Sequence, residues 1–332
     1  MNIDFVVPWV DGSDPTWRTQ RANYMGLDEP DAGEHCYRDM GILRYWFRAV
    51  EAYAPWVNKV HFITWGHLPS WLDTDCPKLH IVKHEDYIPQ QYLPVFSSHP
   101  IELNLHRIPG LSEQFVYFND DMLLNGPIGP EFFFRNGLPC DFAHSTNVFF
   151  QDTNDVYAHI TRNDITCIDR EFSYIRSVIR HPLHYINVRY PVKNAIKNVL
   201  KLENGSVFVG FENHHLAAAY QKKTLEEQWL ATPEVLDRVC KNRFRTPLDV
   251  SQSVFRYRQL AQGRFFPVSK ASRGKVVRVD VDMDVILGAI GDERNKVLCI
   301  NDTPEDIDFE AAKEQIVAAY ERKLPTRSIF EK

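Results

Sequence analysis

Residues Phe115 to Gly126 read FVYFNDDMLLNG. The first four, Phe115, Val116, Tyr117 and Phe118, form a short run of aromatic and β-branched side chains, which predicts a buried strand. The strand would end at Asn119, Asp120 and Asp121, where adjacent carboxylates repel one another unless protons, cations or water compensate. The ordinary use of such a cluster is a solvated turn closed by an Asx contact. The alternative is a divalent-metal or catalytic-base position at the carboxyl end of a parallel strand, where open α/β sheets bind ligands. The rest of the chain favours the alternative.

Upstream, IDFVVPWV (Ile3 to Val10) predicts a first buried strand with DGSDPTW as its turn. Asp14 before Pro15 makes a helix N-cap followed by proline at the first helical position. The polar, glycine-containing stretch from Asn23 to His35 reads as a mobile loop. Ile42, Leu43, Trp46, Phe47, Val50 and Tyr53 share one helical face, and Pro55 ends that helix. KVHFIT and LHIV supply further strands, and a helix near Ile101 to Arg107 leads into the strand at Phe115. This β-α-β-β-α-β order predicts an α/β, Rossmann-like sheet with crossover helices. Downstream the pattern is helical, over Asn187–Leu202, His214–Leu230, Pro233–Phe244 and Val250–Gln262. A last strand, KVLCI, ends in Asn301 and Asp302, so a strand ends in Asn-Asp twice. The expected organisation is one catalytic domain over 1–332. It comprises a Rossmann-like half (1–126), a mainly helical part (127–290), and a terminal strand and helix (291–332).

The 332 residues are 44% hydrophobic, enough for a large core. A net charge of −6 argues against broad nucleic-acid binding but not against a local cationic pocket. Six scattered cysteines without a CxxC pair exclude a zinc ribbon and fit reduced thiols of the cytosol. No membrane span or signal peptide is expected, so membrane work would be peripheral.

Chemistry-bearing residues gather at few places. WVDGSD offers Asp11, Ser13 and Asp14 around Gly12, whose freedom permits a tight turn with exposed amides; helix capping accounts for Asp14 better than for Asp11. NRFRTPLD sets Arg243 and Arg245 two apart beside Asp249, a spacing that suits a phosphate clamp or a surface ion-pair network. His214 and His215 lack a third ligand at zinc spacing, and Pro182 breaks the His181–His184 pair. A neutral histidine beside carboxylates could serve as a base. No GxGxxG, Walker lysine loop or GxSxG is present. An acidic rim with nearby arginines suits a nucleotide-diphosphate donor with Mg²⁺ or Mn²⁺.

DFVVPWVDGSDPTW resembles the first conserved region of the Stealth family. YRDMGILRYWFRAVEAYAPWVNKVHFITWGHLPSWL, HEDYIP and LPVFSSHPIELNLHRIPGLSEQFVYFNDDMLL resemble its second. HHLAAAYQKKTLEEQW with RFRTPLDVSQ is similar to the third, and VLCIND to the fourth. The family covers bacterial capsule and exopolysaccharide sugar-1-phosphate transferases and the catalytic subunit of animal N-acetylglucosamine-1-phosphotransferase. The resemblance implies a GT-A-like nucleotide-sugar fold. It also implies transfer of hexose- or hexosamine-1-phosphate from a UDP-sugar to a lipid-linked or growing glycan, with release of UMP. It assigns Asp121 and Asp302 to the metal, Asp120 or His215 to the base, and Arg243 and Arg245 to the diphosphate. Asp11, Gly12 and Asp14 would line the nucleotide pocket, while Asn119 and Arg107 shape the rim. His215, rather than His214, matches the family histidine by its spacing to Lys222 and Trp229. An ordinary metal-dependent glycosyltransferase releasing UDP, and a non-catalytic carbohydrate-binding protein, remain open alternatives.

Overall fold

The computed structural model describes residues 2–26, 37–152, 155–302 and 307–332. Its strands are β1 (Ile3–Trp9), β2 (Val60–Thr64), β3 (Leu79–Lys83), β4 (Gln114–Tyr117), β5 (Met122–Leu124), β6 (Phe134–Arg135), β7 (Leu138–Asp141), β8 (Ala218–Gln221), β9 (Phe266–Pro267), β10 (Lys275–Arg278) and β11 (Val297–Asn301). The main sheet runs β3-β2-β1-β4-β8, parallel except for β8. Central strands of a covered parallel sheet are buried on both faces. Accordingly Ile3, Phe5, Val6 and Val7 of β1 are all at most 1% exposed. Phe5 and Val7 enter the core beneath α2 (Leu43–Tyr53), and Val6 enters the core formed with the later helices. Trp46 of α2 meets Phe118 edge-on at 5.4 Å, fixing the crossover on the sheet.

This is a Rossmann-like α/β fold, and its connections reverse direction between β1 and β4. Such a reversal opens a crevice at the carboxyl ends of those two strands. The Asp11 turn and the Asn119–Asp121 turn both leave the sheet there. The second of these turns then enters β5, which pairs antiparallel with β11 through Met122↔Cys299 and Leu124↔Val297. The two Asn-Asp strand ends therefore meet although β4 and β11 belong to different sheets. β5 brings them together.

The helix expected over His214–Leu230 is a strand followed by a helix, β8 and then Lys222–Ala231. Ala217 to Ala219 are intrinsically helix-forming. They are overridden because β8 covers the otherwise open edge of β4, in register from Gln114↔Gln221 to Tyr117↔Ala218. The helices expected over Asn187–Leu202, Pro233–Phe244 and Val250–Gln262 are shorter, at Val192–Leu200, Pro233–Cys240 and Ser253–Ala261. Of the stretch read as a mobile loop, Asn23 to Met25 complete α1 (Pro15–Met25), which Gly26 caps at φ 70°, and residues 27–35 lie outside the described residues. Among the described residues no helix is long and apolar enough to cross a membrane.

Candidate active site

At the exit of β1, Asp11 closes the turn by accepting from the Ser13 amide at 2.9 Å and its hydroxyl at 2.6 Å. The Asp11 amide donates to His67 Nε2 at 2.7 Å, so the other ring nitrogen carries the proton, 3.5 Å from Asp14. Burial keeps that imidazole neutral, its pKa lowered despite the two nearby carboxylates. Asp14 caps α1 through the Thr16 and Trp17 amides, which hold its carboxyl below the usual range. A side chain at Gly12 would place its Cβ 2.2 Å from the Tyr37 carbonyl, so only glycine lets these two segments touch. Beside them lies a cleft of about 420 Å³, lined among others by Asp11, Gly12, Arg18, Arg21, Arg38 and Lys313. That is the size of a small-ligand site, and its lining mixes these four cationic side chains with the carboxylates of Asp11, Asp39 and Glu310.

The acidic turn after β4 adjoins this cleft. Asp120 is exposed at the surface, but the crowding of protein around its carboxyl, with repulsion from Asp121 and Asp39, pushes it up to about 7. Among the described residues, Asp120 bonds no other residue's side chain. Asp121 is different. Its Oδ2 gathers His215 Nε2 at 3.0 Å, the Cys299 thiol at 3.2 Å and the Asn301 amide at 3.3 Å. Its Oδ1 is buried with no hydrogen-bond partner among the described residues. A carboxylate saturated on one oxygen and vacant on the other is poised to accept one more donor or a cation. Asp121, His215 and Cys299 form a group whose ligand atoms lie within 4.8 Å of one another. Burial beside Asp121 raises the Cys299 thiol pKa, so it acts here as a donor rather than a thiolate. The open ligand is thus a hard carboxylate oxygen, which fits Mg²⁺ or Mn²⁺.

The adjacent histidines are sharply separated. The His215 side chain is 44% exposed; partial desolvation disfavours its imidazolium, but the hydrogen bond and charge of Asp121 outweigh this and raise the pKa. His214 turns inward over Phe142, at 5.3 Å, with Nε2 3.9 Å from Asp141. Burial and the neighbouring Arg256 drive its pKa down to about 3. Asp302 reaches the same rim and is held in two bonds, both 2.8 Å, by Arg38, whose guanidinium lies over Phe309. Asn119 supports the turn, its carbonyl accepting from the Met122 amide at 3.1 Å.

Asp249 organises the arginine loop, accepting from Asn242, Thr246 and His99. Arg243 stacks on Tyr24 at 4.9 Å, and its Nε is buried without a hydrogen-bond partner among the described residues. Tyr24 packs on Phe96, which also meets Trp17 and accepts at its carbonyl from the Tyr37 hydroxyl. An aromatic chain thus joins this loop to the cleft at Gly12. Among the described residues Arg245 reaches only Ser98, at 3.4 Å. Arg107 is not brought to the rim. It bonds Asn104 and lies over Trp229, on the segment that feeds the amino end of β4.

Sequence reasoning passed over Arg38, Asp39, His67 and Cys299. His67 had a usable signal, because it follows β2, the parallel neighbour of β1, and such strand ends share one edge. Cys299 had none, since its partner lies 178 residues away.

Two family models match the chain: Stealth protein conserved region 1 over residues 1–28 and conserved region 2 over residues 36–140. The capsular polysaccharide phosphotransferase WcwK of Streptococcus pneumoniae is 39% identical over 341 residues, covering 100% of this chain and 99% of that one. The receptor polysaccharide phosphotransferase WefC of Streptococcus gordonii is 37% identical, covering 99% and 98%. The exopolysaccharide phosphotransferase cps2G of Lactiplantibacillus plantarum is 36% identical, covering 100% and 96%. Among solved structures, the galactosyltransferase LgtC aligns over 97% of this chain and 96% of its own, at 12% identity and a TM-score of 0.43, too distant to bear on the argument. With such identity running the full length of both partners, the chain belongs to the Stealth family and is a phosphotransferase.

Proposed function

We propose that this enzyme transfers hexose- or hexosamine-1-phosphate from a UDP-sugar to a hydroxyl of a lipid-linked or growing glycan, in capsule or exopolysaccharide synthesis. The reaction would run in the cytoplasm, at the inner face of the bacterial plasma membrane. The acceptor oxygen bonds to the phosphorus next to the sugar, the bond from that phosphorus to the bridging oxygen breaks, and UMP leaves. The acceptor proton passes to the enzyme. Full-length relatives named polysaccharide phosphotransferases support the reaction class. The observation that carries the reading is the placement of His215 on Asp121 Oδ2 while Asp121 Oδ1 stays open.

A carboxylate can only accept, so the bond to Asp121 puts the proton on His215 Nε2 and leaves Nδ1 to take the acceptor proton. Asp120, with its raised pKa, is the second candidate for that proton. Asp121 Oδ1 would hold Mg²⁺ or Mn²⁺, with Asp302 joining if it exchanged Arg38; such an ion offsets diphosphate charge. Asp11, Gly12 and Asp14 shape the nucleotide end of the cleft, with Asn119 bracing the rim. Arg243 and Arg245 face the diphosphate.

The deciding experiment supplies purified protein with a panel of UDP-sugars and a glycan acceptor. UMP and a phosphodiester product are expected, in equal amounts. UDP release with a plain glycosidic product would establish the glycosyltransferase alternative instead.

Arg243→Ala and Arg245→Ala are expected to lower use of the UDP-sugar by about ten- to a hundred-fold each, the loss of charge-assisted bonds. Melting temperatures should change little. Wild-type kinetics with a much lower melting temperature would show that these arginines only hold the loop.

A further inference from the structure

The helix Val192–Leu200 is built inside out. Its one fully buried residue is Asn198, whereas Val192, Ile196, Val199 and Leu200 are 75%, 53%, 43% and 60% exposed. Those four share an arc of about 100° on the helix, and Lys193, Lys197 and Lys201 follow along its edge. The orientation cannot relax by rolling the apolar face inward, because Asn198 is locked by a satisfied buried network. Its amide donates to the carbonyls of Ala143 and Tyr185, both at 2.6 Å, and its side-chain oxygen accepts from the Ser145 amide at 2.9 Å. Breaking that network would leave its buried polar groups unpaired, at about 1–3 kcal/mol each, which opposes turning the apolar face inward. The preceding turn continues the surface with Leu183 at 74% and Val188 at 98% exposed.

Charge identifies what covers this face. From Tyr174 to Leu202 the chain carries six basic residues and no acidic one, in a protein whose net charge is −6. Among the described residues Arg176, Arg180, Lys193 and Lys197 make no ion pair. An apolar stripe edged by unpaired lysines is the pattern that lies in the plane of an anionic bilayer. A second copy of the chain would set one basic face against another, which is repulsive.

We infer that the helix Val192–Leu200 and the turn before it dock this enzyme on an anionic lipid surface. The dock is also tied to the site. Ala143 and Ser145, which hold Asn198, belong to the segment that bridges Phe211, four residues before His215. Docking would therefore engage a helix that is hydrogen-bonded to the segment leading into His215. The inference rests on this surface, not on the proposed transfer reaction.

The test uses the full chain in co-sedimentation with vesicles of phosphatidylcholine and phosphatidylglycerol, against phosphatidylcholine alone. Binding to the mixed vesicles is expected, weakening as salt rises. Each basic residue near the surface contributes about five-fold, so Lys193→Gln with Lys197→Gln should lower partitioning roughly twenty-five-fold. Ile196→Ser with Leu200→Ser should also release the protein, and both pairs should keep wild-type melting and turnover on a soluble acceptor. Absence of binding by the wild type, or equal binding by both variants, would overturn the inference. So would a wild-type dimer in velocity sedimentation that Ile196→Ser with Leu200→Ser dissolves. In any of those cases UMP release would be unaffected, whereas a vesicle-binding protein that released no UMP would overturn the reaction alone.

Discussion

Asp121→Ala is expected to lower transfer by at least about a hundred-fold, the scale on which losing groups that hold a metal acts. The reason is its divided carboxylate. One oxygen is occupied by His215, Cys299 and Asn301, and the other is buried and open. Alanine also deprives three donors of their acceptor, so part of its effect would be structural, at about 1–3 kcal/mol for buried groups left unpaired. Asp121→Asn separates the two effects, because it keeps an oxygen acceptor and removes the charge. It should melt near wild type, bind Mn²⁺ about ten- to a hundred-fold more weakly by electron paramagnetic resonance, and remain nearly inactive. Wild-type activity in Asp121→Asn, or undiminished activity of the native protein after thorough chelation, would end the metal reading.

His215→Ala should cost about two to four orders of magnitude in turnover, the usual worth of a positioned general base. Binding of the UDP-sugar should hardly change, since the proposed donor contacts lie in the arginine loop and the Gly12 turn rather than at His215. His214→Ala is the internal control. Its imidazole is packed on Phe142 beside the Arg256–Asp141 pair, so its loss should appear in melting rather than in chemistry. The pH dependence gives a second readout. Asp121 raises the His215 pKa above its unfolded value, so the pair's stabilisation is present below the unfolded pKa and fades as pH rises through the folded one. The base needs the neutral ring, so turnover should rise over that same interval. Stability and activity should then move in opposite directions in native protein, and this crossing should vanish in His215→Ala. If His215→Ala keeps its turnover, Asp120→Asn becomes the decisive variant.

The frame was legible because its signals are local. The doubly buried run of β1, the one-sided face of α2 and the Asp14–Pro15 cap each depend on a few consecutive residues. The carboxyl-end acidic turn was legible for the same reason, since a strand that ends in Asn-Asp-Asp announces its own cost. The shift from expected helix to β8 marks the limit of such reading. Ala217 to Ala219 carry a helical preference of a few tenths of a kcal/mol per residue, whereas the edge of β4 offers a whole ladder of backbone bonds.

By itself, then, the sequence determined the Rossmann-like order of elements and the carboxyl edge that carries Asp11, Asp120 and Asp121. Side-chain period and turn chemistry need no distant partner. Only the tertiary structure decided which neighbour each polar group meets. His215 faces Asp121 across 94 residues, Arg38 holds Asp302 across 264, and Asn198 turns the helix Val192–Leu200 so that its valines look outward. Such choices follow from the need to satisfy most buried donors and acceptors at once. That requirement belongs to the packed chain as a whole and is written in no single stretch of it.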